Sequence, residues 1–291
     1  MLPIVAGVVT ALSFAVSVLA SARASRAAGS QQTVAGVMLV GTVLVLPFAL
    51  VPSPLPVGLA KPIETILIAA LSGGANVVGL LFAYAAYRIG AVGVVSTIGS
   101  SEGAIAAVIS VLAGQTLAPG SGAALAVVAV GVVLAATSGG GELEEGVTID
   151  RRRSLRAAGL ATCSAGLFGF GLFTTGYVSA TLPAAWVILP GRLIGIAAVA
   201  APLLVTGRLH APRSAIPVII LTGVVEIVGM TMFTIGARDD IAITAVLASM
   251  FAPIAAVAAF VLFRERLAPR QVLGVVLVVV GIAILGVLTG I

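Results

Sequence analysis

Val261–Pro269 reads VLFRERLAP, and 150 residues upstream Val111–Pro119 reads VLAGQTLAP, with five of nine positions in agreement. The copies differ at their centres, where Arg264, Glu265 and Arg266 stand in place of Gly114, Gln115 and Thr116. The same frame, held without a gap, sets Pro62, Ile66, Leu71, Gly73, Val78, Gly79 and Arg88 on Pro212, Ile216, Leu221, Gly223, Val228, Gly229 and Arg238. Beyond the phrase it sets Val128, Val130 and Gly131 on Val278, Val280 and Gly281. Chance identity is high among Ala, Val and Gly, so the paired Pro, Gly and Arg positions carry the case. The chain is internally duplicated over at least two stretches of three apolar runs each.

Those runs dominate the composition. Of 291 residues, 60% are hydrophobic and 9% charged, and the mean hydropathy is +1.26. A soluble domain carries about 25% charged residues, so this chain cannot cover a globule with polar surface. A spanning helix needs about 20 mostly apolar residues. Ten runs approach that length, near Leu2–Ala20, Thr33–Val51, Ile63–Tyr87, Ala91–Ala113, Gly122–Thr137, Ala157–Tyr177, Pro183–Val205, Ala215–Gly236, Ile241–Phe263 and Gln271–Leu288. The fifth is short, and the third is long enough to tilt or kink. A barrel would show alternating segments of about ten residues instead. Ala20-Ser21-Ala22 resembles a signal-peptidase site, yet nothing basic precedes the first run; it is expected to stay as a permanent span.

Ser138–Arg156, SGGGELEEGVTIDRRRSLR, is the one stretch long and polar enough to be a linker. It divides the chain into 1–137 and 157–291, five runs on each side. Five is odd, so a second copy that follows directly enters the membrane the other way round. The expected fold is therefore an all-α integral membrane protein of ten transmembrane helices, arranged as two inverted five-helix repeats. Such repeats are a recurrent build of transporters, with the site at the midplane between copies.

The charges explain why the phrase changes between copies. Lys and Arg gather on cytoplasmic loops. Alternate loops, starting with the first, hold Arg23, Arg26, Arg88, Arg151, Arg152, Arg153, Arg156, Arg208, Arg213, Arg264, Arg266 and Arg270, whereas the opposite face holds Lys61 and Arg238, the latter followed by Asp239 and Asp240. This bias predicts a cytoplasmic linker, both termini outside, and a multi-pass protein of the inner (plasma) membrane. The net charge of +5 and pI near 10.3 do not point to nucleic acid, because the basic residues form no face or aromatic-interleaved patch. Cys163, alone in an apolar run, allows no intrachain disulfide and reads as a small buried hydrophobe.

The phrase Phe263-Arg264-Glu265-Arg266-Leu267 is followed by Gln271, Gly274 and Gly281, and Pro253 precedes it in the ninth run. A helix ending in a Gly-Glu-x-Leu-type phrase, then Gln, then a Gly-containing last helix, resembles the EamA branch of the drug/metabolite transporter superfamily. Arg192 matches an arginine that members carry early in the second helix of a half. The first half departs from the pattern, with Gln115 for the glutamate and Gly103 for the proline. Small multidrug pumps of the superfamily use a glutamate in their first helix; no acidic residue precedes Glu64 here, so the resemblance does not carry that proton mechanism over. It implies export or exchange of small metabolites, amino acids or toxic organic compounds.

Three ionisable residues fall inside apolar runs away from their ends: Glu102, Arg192 and Glu226. Each costs roughly 2.5–3.5 kcal/mol at a helix centre, so such residues face a bundle interior or a water-filled cavity. Glu102, in Ser100-Ser101-Glu102-Gly103, reads as a cation or proton site, or as a carboxylate held by the neighbouring hydroxyls. Glu226 falls on Asn76 in the repeat frame, which suggests one shared cavity. Arg192 follows Pro190-Gly191, expected to break the helix and free a carbonyl; it could bind an anionic group or neutralise Glu226 or Glu102. Trp186, Tyr84, Tyr87 and Tyr177 read as belt aromatics near helix ends, Tyr84 being the one placed to reach a cavity. The expected substrate-binding set is Asn76, Tyr84, Glu102, Arg192 and Glu226.

His210, between Arg208 and Arg213, and Glu142, Glu144 and Glu145 read as solvated. Ser138–Gly141 is no phosphate loop, since no Lys-Ser/Thr follows and no strand precedes. No metal-ligand spacing occurs, no cofactor is expected, and the spans hold two carboxylates away from their ends and no histidine, too little for a membrane enzyme. The reading is a secondary transporter exporting a small metabolite, amino acid or drug-like compound by alternating access. Its partners are a small-molecule substrate and the lipid bilayer, with no nucleic acid and an open oligomeric state. The alternatives are a lipid-linked sugar flippase and a non-transporting scaffold.

Overall fold

A computed structural model describes residues 2–50, 62–113, 120, 122–124, 126–127, 130–131, 134, 142–143, 147–148, 151–239, 241–263 and 269–288. Lys61, the first copy's Gly114–Pro119, Ser138–Gly141, Glu144, Glu145, Asp240 and the second copy's Arg264–Leu267 lie outside these residues.

The helices are α1 (Leu2–Ala28), α2 (Ser30–Leu50), α3 (Pro62–Ile89), α4 (Val92–Gly99), α5 (Glu102–Leu112), α6 (Arg151–Ser179), α7 (Ala184–Gly195), α8 (Ala201–Val205), α9 (Ile216–Asp239), α10 (Ile241–Ser249), α11 (Phe251–Phe263) and α12 (Pro269–Leu288). The described residues between 122 and 134 are helical as well. A two-stranded ladder, β1 (Glu142–Leu143) against β2 (Val147–Thr148), is antiparallel with Glu142 opposite Thr148. It departs from the all-helical expectation within the polar stretch alone. Basic Arg151–Arg156, expected in the linker, form the first turns of α6.

Among the described residues, six helical stretches are long and apolar enough to cross a membrane. They correspond to the first, second, third, sixth, seventh and eighth runs, so ten spans are not established. The third run is one unbroken helix. The fourth and ninth are each interrupted, at Ser100–Ser101 and at Met250, which the 150-residue frame superposes. Each break tightens to a three-residue hydrogen bond, Ser101 N to Ile98 O at 3.2 Å and Met250 N to Leu247 O at 3.1 Å. Between α1 and α2, Gly29 takes φ +92°, a conformation that costs other residues a Cβ clash; the chain turns there in one residue.

The halves pack by exchange. α1 lies chiefly on α9, and its counterpart α6 lies chiefly on α3. α1 also packs on α10 and α11, as α6 does on α4 and α5. The same chemistry recurs at both contacts. The Thr10 hydroxyl, which bonds Ala6 O in its own helix at 2.8 Å, also lies 3.2 Å from Gly229 O on α9, and Ser164 donates to Gly79 O on α3 at 2.9 Å. A Cβ at Gly229 would sit 2.6 Å from the Phe14 ring, and one at Gly79 would sit 2.6 Å from Phe168. Ser164 and Phe168 follow Thr10 and Phe14 by 154 residues, while Gly229 follows Gly79 by 150. The duplication thus reaches the first helix of each copy, with four residues more between the first and third helices of copy one.

Two further expectations fail. Cys163 is exposed on α6. An apolar run says nothing about which face meets lipid, because lipid tails are as apolar as a core. Pro190-Gly191 does not open its helix: α7 runs through it, and the irregularity follows as a π-helical turn at Ile196–Ala200. Gly191 is instead a crossing point, since a Cβ on facing Gly73 would lie 2.4 Å from the Gly191 backbone.

Candidate functional site

Asn76 and Glu226 sit near the middle of α3 and α9 at matching positions of the repeat. On α7, Arg192 follows the Gly73–Gly191 crossing. Its Nη2 donates to Glu226 Oε1 at 2.8 Å, and the two side chains are only 2% and 6% exposed. Arg192 Nη1 approaches Met38 Sδ at 3.6 Å. Gly41 on α2 makes room for the guanidinium stem, because a Cβ there would fall 2.9 Å from Arg192 Cδ. Of the two carboxylates that Arg192 could neutralise, it takes Glu226. A buried charge left alone is the costliest arrangement. Glu226 Oε2 and the Tyr84 hydroxyl are buried without a hydrogen-bond partner among the described residues, and Tyr84 lies within electrostatic reach of both Arg192 and Glu226.

Glu102 opens α5 at the break in the fourth run. The neighbouring hydroxyls do not hold it: Ser100 Oγ donates back to Thr97 O at 2.8 Å and Ser101 Oγ to Ile98 O at 2.7 Å. Glu102 is 6% exposed, and among the described residues its carboxyl has neither a hydrogen bond nor an ion pair.

These groups meet at one cavity of about 1090 Å³, its open mouth included. Asn76, Tyr84, Glu102, Arg192 and Glu226 all line it. So do groups that the sequence did not single out. Tyr87, read as a belt residue, is buried and lines the cavity within electrostatic reach of Glu102. Phe14, Phe168 and Phe251 supply three more rings, and Ser72, bonded to Thr175 at 2.8 Å, a hydroxyl pair. Phe14 and Phe168 could have been found from a 154-residue frame between the first helices; nothing in the sequence marks Phe251. Tyr177 is 58% exposed, as a belt residue should be, whereas the Trp186 indole nitrogen is buried without a partner among the described residues and lies off the cavity.

The cavity is not shared equally. Phe14 and Phe168 line it as equivalents, as do Asn76 and Glu226. Tyr84, Tyr87 and Ser164 line it, while their counterparts Thr234, Ala237 and Thr10 do not. Thr234 and Ala237 are buried in packing beside Phe233, and Gly236 lies so close to Ala6 and Thr244 that a Cβ would meet each at 2.8 Å. α3 therefore lines the cavity as far as Tyr87, beside Arg88, whereas α9 lines it at Glu226 and Met230, near its middle.

Arg238, one of two basic residues expected off the basic face, has a structural use: it donates to Ser179 O at 3.2 Å and Leu182 O at 2.9 Å, closing the end of α6. Arg26 does the same for α3, donating to Tyr87 O at 3.2 Å and Gly90 O at 3.1 Å. Exposed His210 is held through its backbone, its N donating to Gln32 Oε1 at 3.3 Å.

Comparison with known proteins gives one family and one fold. No curated protein sequence matches the chain. A solved structure described only as "Crystal structure of protein" is similar over 98% of this chain and 96% of its own, at TM-score 0.63 and 16% identity; that likeness speaks for the fold alone. The model of the EamA-like transporter family matches residues 1–137 and again 155–287. With nearly the whole chain covered by two copies of that model, the protein belongs to the EamA-like transporter family and is a multi-pass membrane transporter.

Proposed function

We propose that this chain is a secondary transporter that exports a small metabolite, amino acid or drug-like compound by alternating access, with Asn76, Tyr84, Glu102, Arg192 and Glu226 lining the substrate site. The supporting observation is the cavity between the two copies, walled by aromatic rings and holding both carboxylates and the arginine of the apolar spans. Transporters built from repeats place their site there, between elements that rock against each other. In this reading ten spans form two inverted repeats, 1–137 and 157–291, joined by a cytoplasmic linker at 138–156 in the inner membrane, with both termini outside.

Counterflow in proteoliposomes tests it. The purified protein is reconstituted and a panel of labelled amino acids, organic amines and nucleotide sugars is offered. At least one solute should accumulate against its unlabelled form; a protein that moves none of them is a scaffold. A reporter active only in the cytoplasm, fused after Ile291, should stay silent, and a bright fusion reverses the orientation.

A further inference from the structure

The inference rests on the transporter reading above and divides labour between the two buried carboxylates. Arg192 and Glu226 cancel each other at 2.8 Å. Glu102 has no such partner among the described residues. The elements packed on α5 are chiefly α6 and α10. α6 brings Ser164 and Phe168 to the cavity, none of its lining residues being titratable, and α10 brings the Ser249 hydroxyl over Gly103. From α3 come the phenols Tyr84 and Tyr87; across the cavity stands the closed Arg192–Glu226 pair. Among the described residues the cavity therefore carries one acidic group with no fixed counter-charge. Its walls are aromatic, with Phe14 and Phe251 edge to face at 6.3 Å and 82°, and ring faces attract cations. An uncompensated carboxylate is costly in such surroundings, so its charge is cancelled either by a proton or by an arriving cation. An anion would meet Glu102 with Arg192 already committed.

We infer that Glu102 is the exchange site of this cavity, binding either a proton or the charged head of a monovalent organic cation with an apolar or aromatic body, while Glu226 is fixed framework. Cation and proton replace each other one for one. The exchange is electroneutral, and neither anions nor uncharged solutes of the same shape are carried.

The test uses the purified full chain and three probes: benzyltrimethylammonium, phenethylammonium and tetraphenylphosphonium, with phenylacetate and benzyl alcohol as shape controls. Binding is followed by calorimetry in buffers of different ionisation enthalpy. At least one cation should bind and release about one proton, and neither control should bind. Glu102→Gln should weaken that binding at least about tenfold and abolish the proton release, with the melting temperature kept within a few degrees. Glu102→Asp should restore part of both. If Glu102→Gln proves unstable, wild-type counterflow decides: cation uptake driven by an outward proton gradient should not respond to an imposed membrane potential. The inference is overturned if Glu102→Gln binds the cation as wild type does, if binding releases no proton, or if all three cations fail while another solute of the earlier panel is carried. That last outcome leaves the transporter reading standing. If no solute moves, the transporter reading itself falls.

Discussion

The two copies are alike where they touch each other and only partly alike where they face the cavity. Thr10 and Phe14 meet Gly229 as Ser164 and Phe168 meet Gly79, and both interrupted runs break at the same place in the repeat. At the cavity the likeness is partial: Phe14 still answers Phe168, but Asn76 answers Glu226, and Tyr84 answers Thr234, which does not line it; the crossing that is Gly73 on Gly191 in one half is Gly223 against Val40 in the other, outside the cavity. Packing is a requirement shared by both interfaces, so both retain it. Charge is different. A second ion pair at Asn76 would add another desolvation cost to a membrane interior, and one copy was free to lose or never acquire it. The scaffold is symmetric and the chemistry is not.

The largest expected effect tests the chemistry. Glu226→Gln should cost about 3–5 kcal/mol of stability, because it strands the Arg192 charge. The double variant Arg192→Met with Glu226→Leu should recover most of that loss in thermal unfolding. Should Glu226→Gln melt as wild type does, the pair is not framework, and the two copies differ less than they look.

Next comes the unequal crossing. Gly73→Ala drives a methyl into the Gly191 backbone, which cannot rotate away, and should cost about 3 kcal/mol or prevent assembly. Gly223→Ala meets Val40 side-chain atoms at 2.8 Å and should cost nearer 1 kcal/mol. Equal losses would mean that α3–α7 and α2–α9 crossings are equally tolerant. The hydroxyl pair probes the shared scaffold at finer scale. Thr10→Ala and Ser164→Ala should each cost about 0.6 kcal/mol, the usual worth of such a bond between membrane helices; values that differ by more than about 1 kcal/mol would show that the matched geometry hides unequal interfaces. Smallest of all, Asn76→Ala should leave unfolding within about 0.5 kcal/mol of wild type, since its amide makes no hydrogen bond among the described residues. Its effect belongs in the counterflow assay.

What the sequence could disclose follows the same division. The apolar runs and the 150-residue frame are visible because length and paired Pro, Gly and Arg survive in a chain of simple composition. The 154-residue frame is not, since the matches at Thr10/Ser164 and Phe14/Phe168 are four residues among many alanines. Charged side chains inside apolar runs announce themselves by their cost, and all three line the cavity. Tyr87 and Phe251 carry no such mark, as an aromatic ring is at home in lipid, core or cavity alike. The exposure of Cys163 and the intact α7 helix were illegible for a related reason: hydropathy reports that a residue is apolar, not what it faces.

Exchange packing also has a consequence in time. Thr10 meets its partner carbonyl 219 residues further on, and α1 buries most of its surface against the second half. At roughly 5–20 residues per second of synthesis, α1 waits about 10–40 s in the bilayer before α9 exists to receive it. Neither half can complete its own core during that interval. A truncated product ending after α6 would expose α1 to every other helix in the membrane, which makes assembly of this chain, more than its final stability, the step at which quality control has something to recognise.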